Sequence, residues 1–180
     1  SYYGPHSLTN VNGTLFFAAY DDTNGEELWR SDGTAAGTTL VKDIFPGSYG
    51  AYPKSSYPYS LTNVNGTLFF TAYDATNGRE LWQSDGIAAG TTLAGNIAPG
   101  SDGSYPDYLT NVNGTLFFTA DNGSSGFELW TMSAAVIPSV NEETTISLSG
   151  DDVLIKDTNG GDTDDTLTIS QTATDLVIAD

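Results

Sequence analysis

Carboxylates are the residues of this sequence best suited to chemistry. The chain has 23 Asp and Glu against 5 Lys and Arg, which gives a formal net charge of −18. Carboxylate oxygens bind divalent cations, and Ca²⁺ takes about six to eight oxygen ligands. The same charge argues against nucleic acid and anionic membrane surfaces as partners, because cationic patches supply the affinity for both. The absence of Cys excludes disulfides, thiolate metal sites and Cys nucleophiles.

The densest group of acids lies near the C-terminus, in the segment 157–165. Its carboxylates belong to Asp157, Asp162, Asp164 and Asp165. The stretch 160–168, GGDTDDTLT, resembles the calcium-binding nonapeptide GGxGxDxUx, although Thr163 stands where a third glycine belongs. Sites of that type form between stacked copies, and this sequence holds one copy. A Ca²⁺ site and a solvated acidic loop are therefore both open interpretations.

A second oxygen-rich segment lies in the N-terminal part of the chain, and its oxygen donors are Asp21, Asp22, Asn24 and Glu26. A near-copy of the same segment has Ala75 in place of Asp22 and Arg79 in place of Glu26. A dedicated cation site would not readily accept an arginine. Turn formation is therefore the favoured role, with Ca²⁺ binding as the alternative.

A Glu-Leu-Trp triplet occurs three times, and its members are Glu27, Trp29, Glu80, Trp82, Glu128 and Trp130. A carboxylate within a strand is costly to bury unless it is paired. We expect each glutamate to accept hydrogen bonds from a neighbouring loop, with cation binding as the alternative. A tryptophan at the same place in every copy predicts a packing anchor, and the alternative is a platform on which sugars stack.

These triplets belong to a tandem repeat. Residues 7–44 and 60–97 align without gaps and differ at eight of 38 positions, and a shorter copy covers 108–133. The equivalent leucines near the start of the copies are Leu8, Leu61 and Leu109, so the spacings are 53 and 48 residues. A period of this length predicts an architecture in which one supersecondary unit stacks on the next.

Each unit is predicted to be an antiparallel β-meander of four short strands. Asn-Gly between strand-like runs indicates a type I′ hairpin, because both central residues of that turn need φ > 0. The second strand is apolar on both faces, since Leu68 and Phe70 alternate with Phe69 and Thr71. Both faces are therefore expected to be covered, as in the blades of a β-propeller. The predicted fold class is all-β, with blade-like units in a partial propeller and a small β-rich C-terminal module.

The repeated segment GEELWRSDGTAAGTTLVKDI, residues 25–44, resembles the ELWxxDGT tandem repeat of large bacterial secreted and surface proteins. The second copy keeps every fixed residue of the ELWxxDGT motif except the Thr after Asp-Gly. The third copy keeps only the Glu-Leu-Trp of that motif. The resemblance implies an extracellular or cell-surface, propeller-like protein. It implies no established catalytic activity.

The predicted organisation has a repeat region at 1–136, a linker at 137–143 and a β-hairpin module at 144–180. The module weakly resembles those beside calcium-binding repeats in exported bacterial proteins. Linkers rich in Tyr, Pro, Gly and Ser separate the repeats, and we expect their tyrosines to lie against the sheets. The start at Ser1 and the short third copy predict further repeats upstream in a longer parent chain. His6, the only histidine, is placed in a linker.

Three classes of function follow from these observations. The favoured hypothesis is a non-catalytic scaffold or adhesion module that contacts neighbouring repeats or a surface protein. The alternative is a carbohydrate-binding propeller that uses the Tyr-rich linkers. A glycosidase is a distant third, because near-identical repeats do not supply the unlike residues that a catalytic centre needs.

Overall fold

The chain folds into small antiparallel sheets. The computed structural model describes residues 4–133 and the strands 144–149, 152–157, 166–172 and 175–179. Two compact units are present, Ser1–Ala134 and Ala135–Asp180. All the regular secondary structure in the described residues is β-strand, and none of them form a helix that could span a membrane.

The first unit contains three sheets in chain order. Sheet 1 consists of β1 (His6–Val11), β2 (Thr14–Asp21), β3 (Gly25–Ser31) and β4 (Thr39–Lys42). A hairpin of β5 (Ser48–Tyr49) and β6 (Tyr52–Pro53) follows. Sheet 2 consists of β7 (Tyr59–Val64), β8 (Thr67–Asp74), β9 (Gly78–Ser84) and β10 (Thr92–Gly95). Within the described residues, sheet 3 has three strands, β11 (Asp107–Val112), β12 (Thr115–Asp121) and β13 (Phe127–Ser133).

The second unit is a four-stranded meander of β14 (Thr144–Ser149), β15 (Asp152–Asp157), β16 (Thr166–Thr172) and β17 (Asp175–Ala179). Apolar residues alternate along these strands, as Ile146 and Leu148 do in β14. Their order in the sheet follows the order in the chain, because each strand pairs antiparallel with the next.

Local sequence explains the hairpins of the first unit. Each first turn has two central residues with positive φ, as the Asn-Gly pairs predict; Asn65 has φ of 50° and Gly66 has 85°. The asparagine two residues before each pair also contributes, since the side chain of Asn63 accepts a hydrogen bond from the Gly66 amide at 3.0 Å. The prediction that the repeats form consecutive small antiparallel sheets is confirmed.

The apolar side chains form two cores, one on each side of sheet 2. Leu68 and Phe70 pack with Phe16 and Leu28 of sheet 1. Phe69 and Leu81 pack with residues of sheet 3, namely Leu116, Phe118 and Ala120. Sheet 2 is therefore buried on both faces, which is the blade-like stacking that its doubly apolar second strand predicts.

The first strands of neighbouring sheets also exchange hydrogen bonds through their side chains. The Asn63 amide donates to the Asn10 carbonyl at 3.1 Å, and the Asn111 amide donates to the Asn63 carbonyl at 2.8 Å. In the opposite direction, the Thr9 hydroxyl donates to the Leu61 carbonyl and the Thr62 hydroxyl to the Leu109 carbonyl. These bonds align the three first strands beside one another along one edge of the stack.

Truncation of a side chain between two sheets should be far more costly than truncation on a free surface. Phe70→Ala removes a fully buried ring, and we expect it to lower the free energy of unfolding by about 3–5 kcal/mol. Phe127→Ala removes an exposed ring and should change it by less than about 0.5 kcal/mol. Urea unfolding of both variants measures the difference. Equal losses would contradict the stacked arrangement.

Candidate functional site

Two buried glutamates hold the linkers that connect the sheets. Glu27 and Glu80 are 0% exposed. Glu27 accepts hydrogen bonds from the Ile44 amide at 3.1 Å, from the Ser56 amide at 2.9 Å and from the Ser56 hydroxyl. Hydrogen bonding to the linker is thus the arrangement that the structure shows for this glutamate.

Glu80 has the same environment one repeat later. It accepts hydrogen bonds from the amides of Ile97 and Ala98 and from the hydroxyl of Ser104. Glu128, by contrast, is exposed. The first two glutamates of the repeat are therefore structural acceptors for the linker that follows each of them.

The serine bound by each glutamate also reaches the next sheet. The Ser56 carbonyl accepts a hydrogen bond from the Tyr73 amide of β8 at 2.8 Å, and the Ser104 carbonyl accepts one from the Asp121 amide of β12 at 2.9 Å. Each serine therefore connects the third strand of one sheet to the second strand of the next.

Glycine is required where a linker crosses the start of the third strand. A Cβ on Gly25 would lie 2.0 Å from the Lys54 carbonyl oxygen, and Gly25 has φ of 76°. Any side chain at this position would displace the linker, and the positive φ would strain it further. The glycine two residues before the Glu-Leu-Trp triplet thus permits the close approach on which the glutamate contacts depend.

Burial raises the pKa of Glu27 to about 7, against hydrogen bonds from Ser56 and Ile44 that favour the charged form, and the nearby charge of Asp43 adds to the rise. Burial, together with the charge of Asp21, also raises the pKa of Asp43. In the second repeat Asn96 occupies the position of Asp43. The first repeat therefore carries an additional negative charge beside its buried glutamate.

A cleft of about 440 Å³ lies where the linkers end and the first strands of the sheets begin. Its lining includes the first residue of each first strand, which is His6 in β1, Tyr59 in β7 and Asp107 in β11. Glu26 and Arg79, the second residues of β3 and β9, also line it. Unlike side chains at equivalent repeat positions thus meet on nearly identical backbones.

Tyrosines form the aromatic part of the cleft. Tyr57 and Tyr105 occupy equivalent linker positions, line the cleft and are exposed. Their φ values are 50° and 48°, a left-handed conformation that costs energy for a bulky residue. Backbone hydrogen bonds maintain this conformation, since the Tyr57 amide donates to the Glu26 carbonyl at 3.3 Å and the Tyr105 amide to the Arg79 carbonyl at 3.1 Å.

The charged groups of the cleft are arranged unevenly. The His6 ring nitrogen Nε2 lies 3.2 Å from a carboxylate oxygen of Glu26. Arg79 donates to the Tyr57 carbonyl and to the Thr71 hydroxyl, each at 3.2 Å. Burial lowers the pKa of Arg79, and interactions with Tyr105 and Glu26 partly offset this change. The cleft can therefore form hydrogen bonds with hydroxyl and acidic groups of a ligand, while its aromatic rings contact an apolar face of that ligand.

A smaller hollow of about 290 Å³ shares Tyr57 and Arg79 with the cleft. Its own aromatic residues are Phe45, Tyr49 and Tyr73. The ammonium group of Lys54 lies 4.6 Å from the centre of the Phe45 ring and 5.1 Å from that of Tyr49. These cation–π contacts hold the lysine against the hairpin of β5 and β6. The aromatic surface of this hollow is thus already in contact with a cation from the chain itself.

The oxygen-rich segment of the first repeat is divided between two places. Asp21 accepts hydrogen bonds from the amides of Thr23 and Asn24, at 2.7 and 2.6 Å, as a turn residue does. Although burial opposes it, hydrogen bonding from Asn24 and Thr23 lowers the pKa of Asp21. Asp22 is exposed, whereas Glu26 contacts His6 in the cleft. In residues 4–133 and the described strands, no group of three or more His, Asp and Glu is placed to hold a metal ion.

The three tryptophans occupy different degrees of burial. Trp82 is buried in the core between sheets 1 and 2, and Trp130 packs partly buried against the other core. The indole nitrogen of Trp130 donates to the Ala120 carbonyl at 3.1 Å. Trp29 is half-buried. None of the three lines the cleft.

The candidate calcium loop falls largely outside the described residues. Asp157 ends β15, whereas Asp162, Asp164 and Asp165 lie beyond what the structure describes. The prediction of a Ca²⁺ site there stays a prediction.

Two expectations about the linkers were wrong. The linker tyrosines do not lie against the sheets, since Tyr49, Tyr52, Tyr57, Tyr59, Tyr105 and Tyr108 are all exposed. Small residues anchor the linkers instead, with Ser56 and Ser104 fully buried, because their hydroxyl groups satisfy the buried glutamates. His6 does not lie outside the repeats; it is the first residue of β1.

Comparison with solved structures finds a distant structural similarity. No protein-family model matches the chain, and no curated protein matches it. A solved structure described as Bacteroides ovatus xyloglucan PUL GH43B is similar, with 12% sequence identity and a TM-score of 0.40. The similarity covers 98% of this chain and 40% of that one, so this chain spans less than half of its length. Function must therefore be argued from the site itself.

The buried glutamate should make stability depend on pH in a specific direction. The pKa of Glu27 rises from an ordinary 4.5 to about 7, so between these values the folded chain binds the proton more tightly than the unfolded chain does. Stability should fall as pH rises through this window and then level off, by about 3 kcal/mol in total.

Denaturant unfolding from pH 4 to 8 tests this, with Glu27→Gln as a mimic of the protonated form. The wild type should lose stability relative to Glu27→Gln as pH rises through the window. Asp22→Asn, which removes an exposed carboxylate from the same sheet, controls for the change in net charge. Parallel curves for wild type and Glu27→Gln would show that Glu27 does not titrate in this range.

Proposed function

We propose that the chain is a non-catalytic repeat module of a secreted or cell-surface bacterial protein, with a scaffold, adhesion or protein-interaction role. The resemblance to the ELWxxDGT repeats motivates the location and the class. The supporting observation is that acids shared by the first two repeats hold the fold together through hydrogen bonds to the backbone.

The shared acids illustrate this in two ways. Glu27 and Glu80 hold the linkers. Asp21 and Asp74 close the turn between the second and third strands in the same manner, since each accepts hydrogen bonds from two backbone amides. A repeat whose recurring polar residues bind its own backbone is suited to presenting surfaces, because these shared residues position the sheets.

Carbohydrate binding is the second candidate, and the cleft is the specific observation that favours it. Exposed tyrosines offer flat apolar faces to a sugar ring, and they have a low conformational entropy cost because they have two side-chain torsions. Glu26, Arg79 and Asp107 place polar groups beside these faces, where they could hydrogen-bond hydroxyl groups. Concave sites with aromatic walls and a few convergent polar groups are typical of small-ligand binding.

A glycan array probed with the whole chain separates the two candidates. The carbohydrate candidate predicts specific binding that Tyr57→Ala or Tyr105→Ala weakens by at least about tenfold. Tyr52→Ala is the matched control, because Tyr52 is also exposed but lines neither hollow. Specific binding with this pattern would replace the scaffold proposal with a lectin-like one. An array without specific binding would remove the carbohydrate candidate.

Stabilisation by Ca²⁺ is a further part of the proposal and rests on the acidic segment 157–165. If Ca²⁺ binds the folded form alone, stability should rise by about 2.7 kcal/mol at a hundredfold excess over Kd. Thermal melts in Ca²⁺, in Mg²⁺ and in Na⁺ at matched ionic strength measure this for the wild type and for Asp165→Ala. A calcium site predicts a gain specific to Ca²⁺ that the substitution abolishes. Equal gains in all three salts would indicate screening of the net negative charge instead.

A further inference from the structure

The two interfaces between sheets have the same design. In each, a leading face carrying a Val, a Phe and a Leu packs on a receiving face of the next sheet. The leading faces are Val11, Phe16 and Leu28 in sheet 1 and Val64, Phe69 and Leu81 in sheet 2. The receiving face of sheet 2 carries Leu68, Phe70, Ala72 and Trp82.

Sheet 3 has a leading face of the same composition, and no other sheet of the first unit packs on it. Its residues are Val112, Phe117 and Leu129, the counterparts of Val64, Phe69 and Leu81. Leu129 is 70% exposed and Val112 is 46% exposed, whereas Leu81 and Val64 are 0% exposed. An apolar face of this kind in water marks an interaction surface.

Sheet 1 has a receiving face that is only partly covered. Its receiving face consists of Leu15, Phe17, Ala19 and Trp29, the counterparts of Leu68, Phe70, Ala72 and Trp82. Leu15, Ala19 and Trp29 are half-buried, whereas their counterparts in sheet 2 are buried. The two outer sheets of the first unit thus expose complementary faces, the leading face on sheet 3 and the receiving face on sheet 1.

We infer that the leading face of sheet 3 in one copy of this chain docks on the receiving face of sheet 1 in a second copy. The occupant is specified by the interfaces within the chain, because sheet 1 of another copy presents the same Leu, Phe, Ala and Trp positions that already fit the leading face of a preceding sheet. The polar contacts would recur as well. The Asn10 amide of the second copy would reach the Asn111 carbonyl of the first, as Asn63 reaches Asn10 within the chain.

Such an interface joins different surfaces of the two copies. It is therefore heterologous, and it propagates head to tail into a ring or an open chain. The net charge of −18 opposes association, so salt at about 0.15 M should favour it by shortening the range of repulsion.

Sedimentation velocity over a series of concentrations tests the inference, using the whole chain. The wild type should associate as concentration rises. Leu129→Glu should raise the dissociation constant at least about a hundredfold, since docking would bury an unpaired carboxylate. Leu129 is exposed in the single chain, so this substitution should leave the melting temperature unchanged. Ile87→Glu changes an exposed aliphatic residue on the loop between β9 and β10 of sheet 2, which belongs to neither face; it is the matched control and should associate as the wild type does.

A mixing experiment tests the head-to-tail geometry. Leu15→Glu blocks the receiving face and Leu129→Glu blocks the leading face, so each variant alone should be monomeric. Mixed in equal amounts, the two should form a dimer and nothing larger, because each keeps one intact face. Far-ultraviolet circular dichroism confirms that both are folded. A wild type that stays monomeric, association that survives Leu129→Glu, or folded variants that give no dimer on mixing would each overturn the inference.

Discussion

Two carboxylates without access to solvent determine where each new sheet begins. Removing a carboxylate from water costs several kcal/mol unless hydrogen bonds replace the lost hydration. Glu27 and Glu80 obtain those bonds from backbone amides and a serine hydroxyl of the linker that follows. The linker is thereby fixed on the preceding sheet, and its serine carbonyl receives an amide of the next one. The order and spacing of the sheets both depend on this contact.

The cleft is a geometric result of the same arrangement. Because each linker is fixed at the start of a third strand, the residues just after its serine lie at one edge of the stack, beside the starts of the first strands. Tyr57 and Tyr105 therefore occupy equivalent places beside the starts of β7 and β11. Glu26 and Arg79, an equivalent pair that differs between the repeats, also line the cleft there. A repetitive framework thus gives rise to a non-repetitive surface.

Local patterns in the sequence were sufficient for the sheets. Asn-Gly pairs predicted the hairpins through their positive φ, and the adjacent Phe69 and Phe70 predicted a strand covered on both faces. The cleft could not be found in this way, because its residues come from positions about fifty apart and its shape depends on how the linkers cross. The differences between otherwise identical copies were the available signal, since Glu26 and Arg79 are one such pair. The tyrosine prediction failed because it considered the apolar ring alone, whereas the buried glutamates select small hydroxyl-bearing residues for the buried positions of the linker.

The ladder of asparagines and threonines along the first strands has a consequence for how such a chain can grow. Asn63 donates its amide to the unit before it, and its backbone carbonyl receives the amide of the unit after it. Every unit therefore carries both partners of the same bond, and any two consecutive units can be joined by it. An in-frame gene duplication of one repeat would therefore insert a sheet that carries both partners of this bond. Each added unit would lengthen the ladder by one more pair of bonds.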